Sequence, residues 1–501
     1  MTITLLLATP VLLPVVGSAT YAVAGWRRAT IGVAPLCAAG VLAAGVGLAS
    51  TVGADRHTAV GGGLAVDALS AFMLIVIGAV TLLATVAGPA YLRAEIAAGR
   101  ATLRTARWHS ALVMAFLATM ALAVLAASLG VLWAAVEATT IVTAFLVGQR
   151  RTRAAVEAAW KYVVICSAGI ALALLGTVLL HYASLHPASL HPAASRAVPV
   201  GLDLAALAAV ADSLDPDVTR IAVALLIIGF GTKAGLVPLH AWLPDAHSQA
   251  PAPVSALMSG VLLSVAFYAI LRIKIIADGA IGPGFTRVLL AVIALATLAV
   301  AASLLLGVRD YKRMLAYSSM EHMGLLALGT AAGSGLALTA VLLHILGHGL
   351  AKAVLFLGAG RILQTTGTSL VGEVRGLAAR QPLLAGSFGF GVLALIGFPP
   401  FSLFASELGI VRAGFATGMG WATVAALALV LVIAAALVGH TSRMLLGAAP
   451  DPPGAATAPP RLPPSTAVAL LAGLLVCAAL GLTALPLHAV LWHAVEIVGT
   501  P

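Results

Sequence analysis

The chain has 501 residues, of which 61% are hydrophobic and 9% charged, with a formal net charge of +10 at pH 7. A soluble domain carries about 25% charged residues, so a water-facing surface is excluded and the bilayer is the solvent that this composition fits. A membrane barrel needs short segments of alternating polarity, and the apolar runs here are long and uninterrupted.

A hydrocarbon core about 30 Å thick needs roughly 20 apolar residues per crossing helix. Runs of that length predict an all-α integral membrane protein of about fourteen transmembrane helices. In chain order they fall at 3–24, 30–51, 64–90, 108–127, 130–148, 160–181, 219–239, 254–276, 285–307, 313–331, 335–363, 382–410, 420–443 and 465–487. The N-terminal MTITLLLATPVLLPVV has no basic stretch ahead of its apolar residues, so it is expected to be the first membrane helix and not a signal peptide. With these spans, the loops after odd-numbered helices carry most of the 27 Lys and Arg residues. Cytoplasmic loops are enriched in cations, so both termini are expected outside the cytoplasm. The basic balance is thus a topology signal, and nucleic acid is not an expected partner.

Two connections are long. Residues 182–218 read as an outward-facing loop with a duplicated LHPAS/LHPAA that sets His186 and His191 near His181. Five-residue spacing without Cys or Glu is a weak ligand pattern, so no metal is expected there. Residues 445–464 form a Pro-rich linker. Cys37, Cys166 and Cys477 lie far apart in apolar runs and are expected to be small core residues.

Two helices must break. The seventh runs into KAGLVPLHAWLPDAH (233–247), with Pro238 and Pro244, and the twelfth contains FGVLALIGFPPFSLFASELGIVR (390–412), with Pro399 and Pro400. Proline removes a backbone donor and clashes with the preceding turn. In a bilayer such a break survives only where protein or a watery cavity satisfies the freed backbone. Paired broken helices mark binding or conduction sites. Their five-helix separation predicts two inverted repeats, helices 4–8 (108–276) and 9–13 (285–443). Residues 1–107 precede them, and the linker with helix fourteen (444–501) follows.

A charge at the bilayer centre costs about 2.5–3.5 kcal/mol on insertion scales, so ionisable residues within these helices are functional candidates. They are Glu137, Lys233, Glu321, His322, His344, His348, Lys352 and Glu407. The i, i+4, i+8 spacing of His344, His348 and Lys352 predicts one helix face. A glutamate and a lysine whose separation changes can exchange protons: paired, both stay charged; apart, the lysine can give its proton up. Histidines titrate near neutrality and can bridge such groups, and Ser or Thr neighbours can hold water. The plainer alternatives are a structural ion pair for the glutamates and lysines, packing for His344 and His348, and helix-end anchoring for Glu321 and His322. His240, Asp245 and His247, beside the seventh helix's break, read as an entry gate or as caps.

Several segments resemble one known family. VDALSAFM (66–73), WAAVEATT (133–140), KAGLVPLHAWLPDAHSQAPAPVSALMSG (233–260), RDYKRMLAYSSMEHMG (309–324) and HILGHGLAKAVLFLGAGRI (344–362) are similar to signatures of the antiporter-like membrane subunits. These occur in NADH–quinone oxidoreductase (L, M and N types), Mrp-type antiporters (A and D subunits) and group 4 hydrogenases. The resemblance spans about 64–443. It implies that Glu137 is the key glutamate and Lys233 the proton-carrying lysine. SSMEHMG and GFPPFSLFASE look most like the F component of hydrogenase-4 and formate-hydrogenlyase-type subunits. Glu407 stands where L-type subunits carry lysine, and an L-type lateral helix after helix fourteen is expected to be absent. One departure stands out: ALMSGVLLSVAFYAILR (256–272) has no titratable group before Arg272, where the family often has Lys or His. Ser259 and Ser264 are expected to hold a water chain in its place, or else conduction is impaired.

The resemblance thus implies a proton-translocating subunit of a redox-driven complex in a bacterial cytoplasmic (inner) membrane. Its partners would be other membrane subunits and a soluble hydrogenase-like or NADH-dehydrogenase-like module. No cofactor is expected in this chain, because no segment suits haem, flavin or an iron–sulfur cluster. The alternatives are a cation/proton antiporter or ion-coupled uptake subunit without redox chemistry, and a scaffold that has lost conduction.

Overall fold

The computed structural model describes residues 3–53, 55–186, 201–447 and 461–499, and these are overwhelmingly helical. The first six crossings are α1 Ile3–Ala24, α2 Val33–Val52, α3 Ala68–Ala97, α4 Leu103–Leu125, α5 Leu129–Val147 and α6 Arg153–Leu185. After a short α7 Leu204–Ala209, the seventh is split into α8 Pro216–Lys233 and α9 Trp242–Gln249. The eighth is α10 Ala252–Leu257 and α11 Leu263–Ile281, joined by a π turn at Met258–Leu262. Then come α12 Pro283–Leu306, α13 Tyr311–Ala332, α14 Gly335–Thr366 and the short α15 Leu377–Arg380. The twelfth crossing is split into α16 Pro382–Leu395 and α17 Ser402–Ala416, followed by α18 Gly420–Leu446, α19 Pro464–Leu482 and α20 His488–Gly499.

Eleven helices are long and apolar enough to cross a membrane. The other predicted crossings are the two broken helices and α13, whose Lys312, Arg313, Glu321 and His322 lower its apolar content. The chain is a multi-pass membrane protein.

Several boundaries differ from the sequence expectation. The third helix starts at Ala68, because β1 His57–Ala59 pairs antiparallel with β2 Leu64–Val66 just before it. Asp67 then caps it, its carboxylate accepting from the Ser70 amide at 2.9 Å. The sixth helix continues to Leu185, so His181 and Tyr182 are helical, and the expected loop also contains α7. His191 and residues 448–460 lie outside the described residues. The last predicted span ends at Leu482, and α20 forms separately beyond Pro486. Lys312, expected in a loop, lies 1% exposed in the first turn of α13. Its ammonium donates to the carbonyls of Ser248 and Ala250, both at 2.8 Å. It thereby satisfies carbonyls at the C-terminal end of α9. All three cysteines are buried and free, as expected.

Helices eight and eleven are enclosed by protein on every side. Lipid supplies no hydrophobic drive between helices, so close packing over small residues holds them. The two cross at Gly260 and Gly349: a Cβ on Gly349 would sit 2.8 Å from the Gly260 carbonyl, and one on Gly260 3.0 Å from the Gly349 carbonyl. The sixth and seventh helices meet in the same way, since a Cβ on Gly229 would lie 2.6 Å from the Gly169 carbonyl. The outer helices show apolar residues such as Leu5, Leu12, Leu431 and Leu475 to their surroundings.

Gly349→Val should force these backbones apart and destabilise the protein by about 1–3 kcal/mol or more. Thermal unfolding in detergent would show this as a lowered midpoint, whereas Gly439→Val, at a glycine with open space around it, should leave the midpoint within a degree or two of wild type.

Candidate functional site

Both broken helices place an ionisable group beside the break. α8 ends at Lys233, and Gly235 (φ +77°) turns the chain away. The freed backbone finds partners: Val237 N donates to Thr297 Oγ1 at 3.0 Å, and Trp242 Nε1 donates to the Thr232 carbonyl at 2.9 Å. Pro238 lies within this break. Pro244 does not, contrary to expectation; it sits in the first turn of α9, where its missing N–H would have no helical partner anyway. In the second break, Pro399 and Pro400 separate α16 from α17. Gly397 there has φ +67°, and the Glu407 carboxylate packs directly over it, where a Cβ would stand.

Lys233 is fully buried. Its ammonium donates to Thr140 Oγ1 at 2.7 Å and to Tyr162 OH at 2.5 Å. Thr140 Oγ1 in turn donates to Glu137 Oε2 at 3.0 Å, and Ser167 Oγ donates to Glu137 Oε1 at 2.9 Å. Lys233 and Glu137 are therefore joined through one hydroxyl and are not a contact ion pair. Thr140 follows Glu137 by three residues on α5, which sets both on one face. The glycine-mediated packing of α6 on α8 brings Tyr162 to the lysine.

Lys352 is also fully buried, and no carboxylate among the described residues holds it. Its ammonium donates to the Leu315 carbonyl at 2.8 Å and to Ser318 Oγ at 2.5 Å. Ser319 Oγ shares that carbonyl at 3.0 Å and lies 2.7 Å from Ser259 Oγ. Helix eight therefore reaches the second lysine through a serine pair. Ser264 is buried too, and its hydroxyl has no partner among the described residues.

The α14 histidines face α13 as their spacing predicts. His344 Nε2 lies 3.0 Å from His322 Nδ1, and His344 Nδ1 lies 2.9 Å from Ser406 Oγ, next to Glu407. The His348 ring centroid is 5.0 Å from that of His322. Both ring nitrogens of His348, His322 Nε2 and Glu321 Oε2 are buried without a partner among the described residues. An imidazole can take a proton on one nitrogen and release one from the other, so Ser406, His344 and His322 stand in an order along which a proton can pass. One ligand atom each of His322, His344 and Glu407 lie within 4.8 Å of one another, which is the only grouping with metal-ligand proximity among the described residues. Hydrogen bonds already occupy the facing nitrogens of its two imidazoles.

Of the expected gate residues, Asp245 and His240 have polar partners, and His247 has none on either ring nitrogen among the described residues. Asp245 pairs with Lys161 at 3.0 Å and Arg313 at 2.5 Å. His240 Nδ1 lies 3.2 Å from its own loop's Pro238 carbonyl. His247 is fully buried and stacks on Phe356, with centroids 4.9 Å apart. The hydroxyls of Thr140, Ser318, Ser319 and Ser406 each lie within one helical turn of a membrane-embedded acid, which is a signal the sequence carries, whereas nothing local marks Tyr162.

The family model described as NADH:quinone oxidoreductase/Mrp antiporter, TM, matches residues 126–433. The chain is 37% identical over 353 residues to a hydrogenase-4 component F homolog of Methylacidiphilum infernorum, covering 70% of this chain and 72% of that one. It is 37% identical over 268 residues to NADH-quinone oxidoreductase subunit N of Desulforudis audaxviator, covering 52% of this chain and 50% of that one. Its fold matches a chain of the Mrp complex from Dietzia sp. DQ12-45-1b with a TM-score of 0.84 at 24% identity, over 100% of this chain and 98% of that one. A chain of the membrane-bound sulfane sulfur reductase, an archaeal respiratory membrane complex, gives 0.84 at 23% identity over 99% and 97%.

Thr140→Val should break the Glu137–Lys233 connection and slow any proton transfer along it about tenfold or more, with the fold intact. Thr139→Val, which removes a hydroxyl that bonds only its own helix, should leave transfer within about twofold in a vesicle pH assay. Gly397→Ala should displace the Glu407 carboxylate, read as a shifted Glu407 carboxyl band in difference infrared spectra.

Proposed function

Because this chain belongs to the NADH:quinone oxidoreductase/Mrp antiporter membrane family, we propose that it moves protons through the membrane as a subunit of a redox-driven complex. The observation that carries this reading is the state of Lys233 and Lys352. Both are fully buried; Lys233 is held by two hydroxyls and Lys352 by a carbonyl and a hydroxyl, with no carboxylate in contact among the described residues. Midway along a membrane helix a permanent structural cation would be expected against a carboxylate; Lys312, held by carbonyls alone, sits instead in the first turn of α13. A lysine that must gain and lose its proton is better served by neutral groups that tolerate either state.

The step at the first lysine balances through one hydroxyl. Lys233 passes a proton to Thr140 Oγ as Thr140 passes its own to Glu137, leaving a neutral amine and a protonated acid. At the other end Glu407, Ser406, His344 and His322 act as the relay, with His348, Glu321 and Lys352 beside it. Glu137 and Glu407, the two half-buried members, are the ends of the path, and Asp245 and His240 shape its surroundings. In this reading helices 4–8 and 9–13 are inverted units, each carrying one broken helix.

The hydrogenase-4-type relative, similar over most of both chains, favours redox coupling over antiport. Partner subunits, including a soluble hydrogenase-like or NADH-dehydrogenase-like module, supply the electron chemistry, and this chain holds no cofactor. We place it in a bacterial inner membrane with both termini outside the cytoplasm, following its cation distribution.

In sealed vesicles containing the assembled complex, Lys233→Ala should abolish most substrate-driven proton uptake while the subunits still co-purify. Proton uptake equal to wild type would assign conduction to another subunit and leave this chain a scaffold.

A further inference from the structure

Helix eight carries a continuous polar stripe that the path above does not use. Ser255, Ser259, Ser264, Tyr268 and Arg272 are spaced by four residues, except for the five between Ser259 and Ser264. In an unbroken α-helix that longer step would turn Ser264 off the face. The π turn at Met258–Leu262 absorbs the extra residue and keeps the stripe in line. π turns inside helices often accompany functional sites.

The stripe is connected at both ends. At its centre Ser259 meets Ser319, which shares the Leu315 carbonyl with Lys352. Towards the face that carries the N-terminus, Tyr268 OH lies 3.1 Å from Ser70 Oγ and accepts from Arg272 Nε at 2.9 Å. Arg272 also donates to Ser70 Oγ at 2.9 Å and pairs with Asp67 at 2.6 Å. Beyond this pair opens a cavity of about 270 Å³ lined by Arg56, Asp67, Ser70, Arg272 and Ile497, among others. Between the two bonded ends stands Ser264, 0% exposed, its hydroxyl unpartnered among the described residues.

The geometry points to a side branch of the proton path along helix eight, from Lys352 through Ser319, Ser259, Ser264 and Tyr268 to the cavity, with the Arg272–Asp67 pair as its gate. It rests on the proton-moving reading above. Neighbouring oxygens on the stripe are about one helical turn, ~5–6 Å, apart, a gap that one bridging water spans, and a further water joins Lys352 to Ser319, since the Leu315 carbonyl to which both donate passes no proton. The protons hop between water and hydroxyl oxygens, each oxygen receiving one as it releases another. The branch also gives this helix a role without the Lys or His expected at its middle.

Two readouts on the assembled complex in sealed vesicles separate the branch from the reading it rests on. In a background with Cys37, Cys166 and Cys477 changed to Ala, Ser264→Cys should react with a membrane-impermeant methanethiosulfonate added at the N-terminal face. Val265→Cys, one residue round the helix and equally buried, should react at least tenfold more slowly. Ser264→Val and Tyr268→Phe should each lower proton uptake by about half, the share that the branch carries, with co-purification and redox turnover retained. Equal reactivity of the two cysteines overturns the branch whatever uptake shows. Wild-type uptake in Ser264→Val and Tyr268→Phe, with uptake lost in Lys233→Ala, overturns the branch and keeps the main path. Wild-type uptake in all three overturns the proton reading of both.

Discussion

Two ammonium groups, Lys233 and Lys352, buried between membrane helices with no contacting carboxylate among the described residues, set the terms for the rest of this structure. A buried charge needs dipoles around it, and here they come from other helices: Thr140 and Tyr162 at Lys233, Leu315 and Ser318 at Lys352. Every helix that supplies one must stand close to the lysine. Where α6 brings Tyr162 to Lys233, that closeness in turn requires glycine at its crossing with α8. The small residues at that crossing and the hydroxyls round Lys233 are therefore two sides of one requirement.

The breaks serve the same end. A continuous helix satisfies its own backbone and leaves nothing for neighbours. Ending α8 at Lys233 frees carbonyls and amides, which Trp242 and Thr297 then bind. Ending α16 at Leu395 lets Gly397 give its α-face to the Glu407 carboxylate. At the first break Ala234, Gly235 and Leu236 are enclosed by protein, as a bilayer demands, whereas Phe398, Pro399 and Pro400 of the second are exposed on this chain.

Much of this was legible in the sequence, because hydropathy and proline position speak directly about membranes. The crossings, both breaks and the shared face of His344, His348 and Lys352 follow from apolar run length, Pro placement and helical spacing. What was not legible depends on pairing between distant segments. Nothing local says that Thr140, ahead of the other hydroxyls nearby, stands between Glu137 and Lys233, since that is decided by how α5 meets α8. Lys312 reads as a loop cation until α9's free carbonyls appear beside it. Pro244 reads as a breaker until the new helix is seen to start just before it. The separate α20 was hidden because Leu485 and Leu487 prolong the apolar run past Pro486.

The π turn of helix eight makes the chain's register there a matter of counting. Taking one residue out of 260–262 would turn the π turn into ordinary α-helix, with Ser259 four residues ahead of the next serine, and both halves of the stripe would keep their faces. Taking one out between Ser264 and Tyr268 would instead rotate everything beyond by about 100° and swing Tyr268 and Arg272 from Ser70 and Asp67 towards other neighbours. Among relatives of this chain, a single-residue gap in the first stretch would therefore leave the connections intact, and the same gap a few residues later would separate two differently connected proteins.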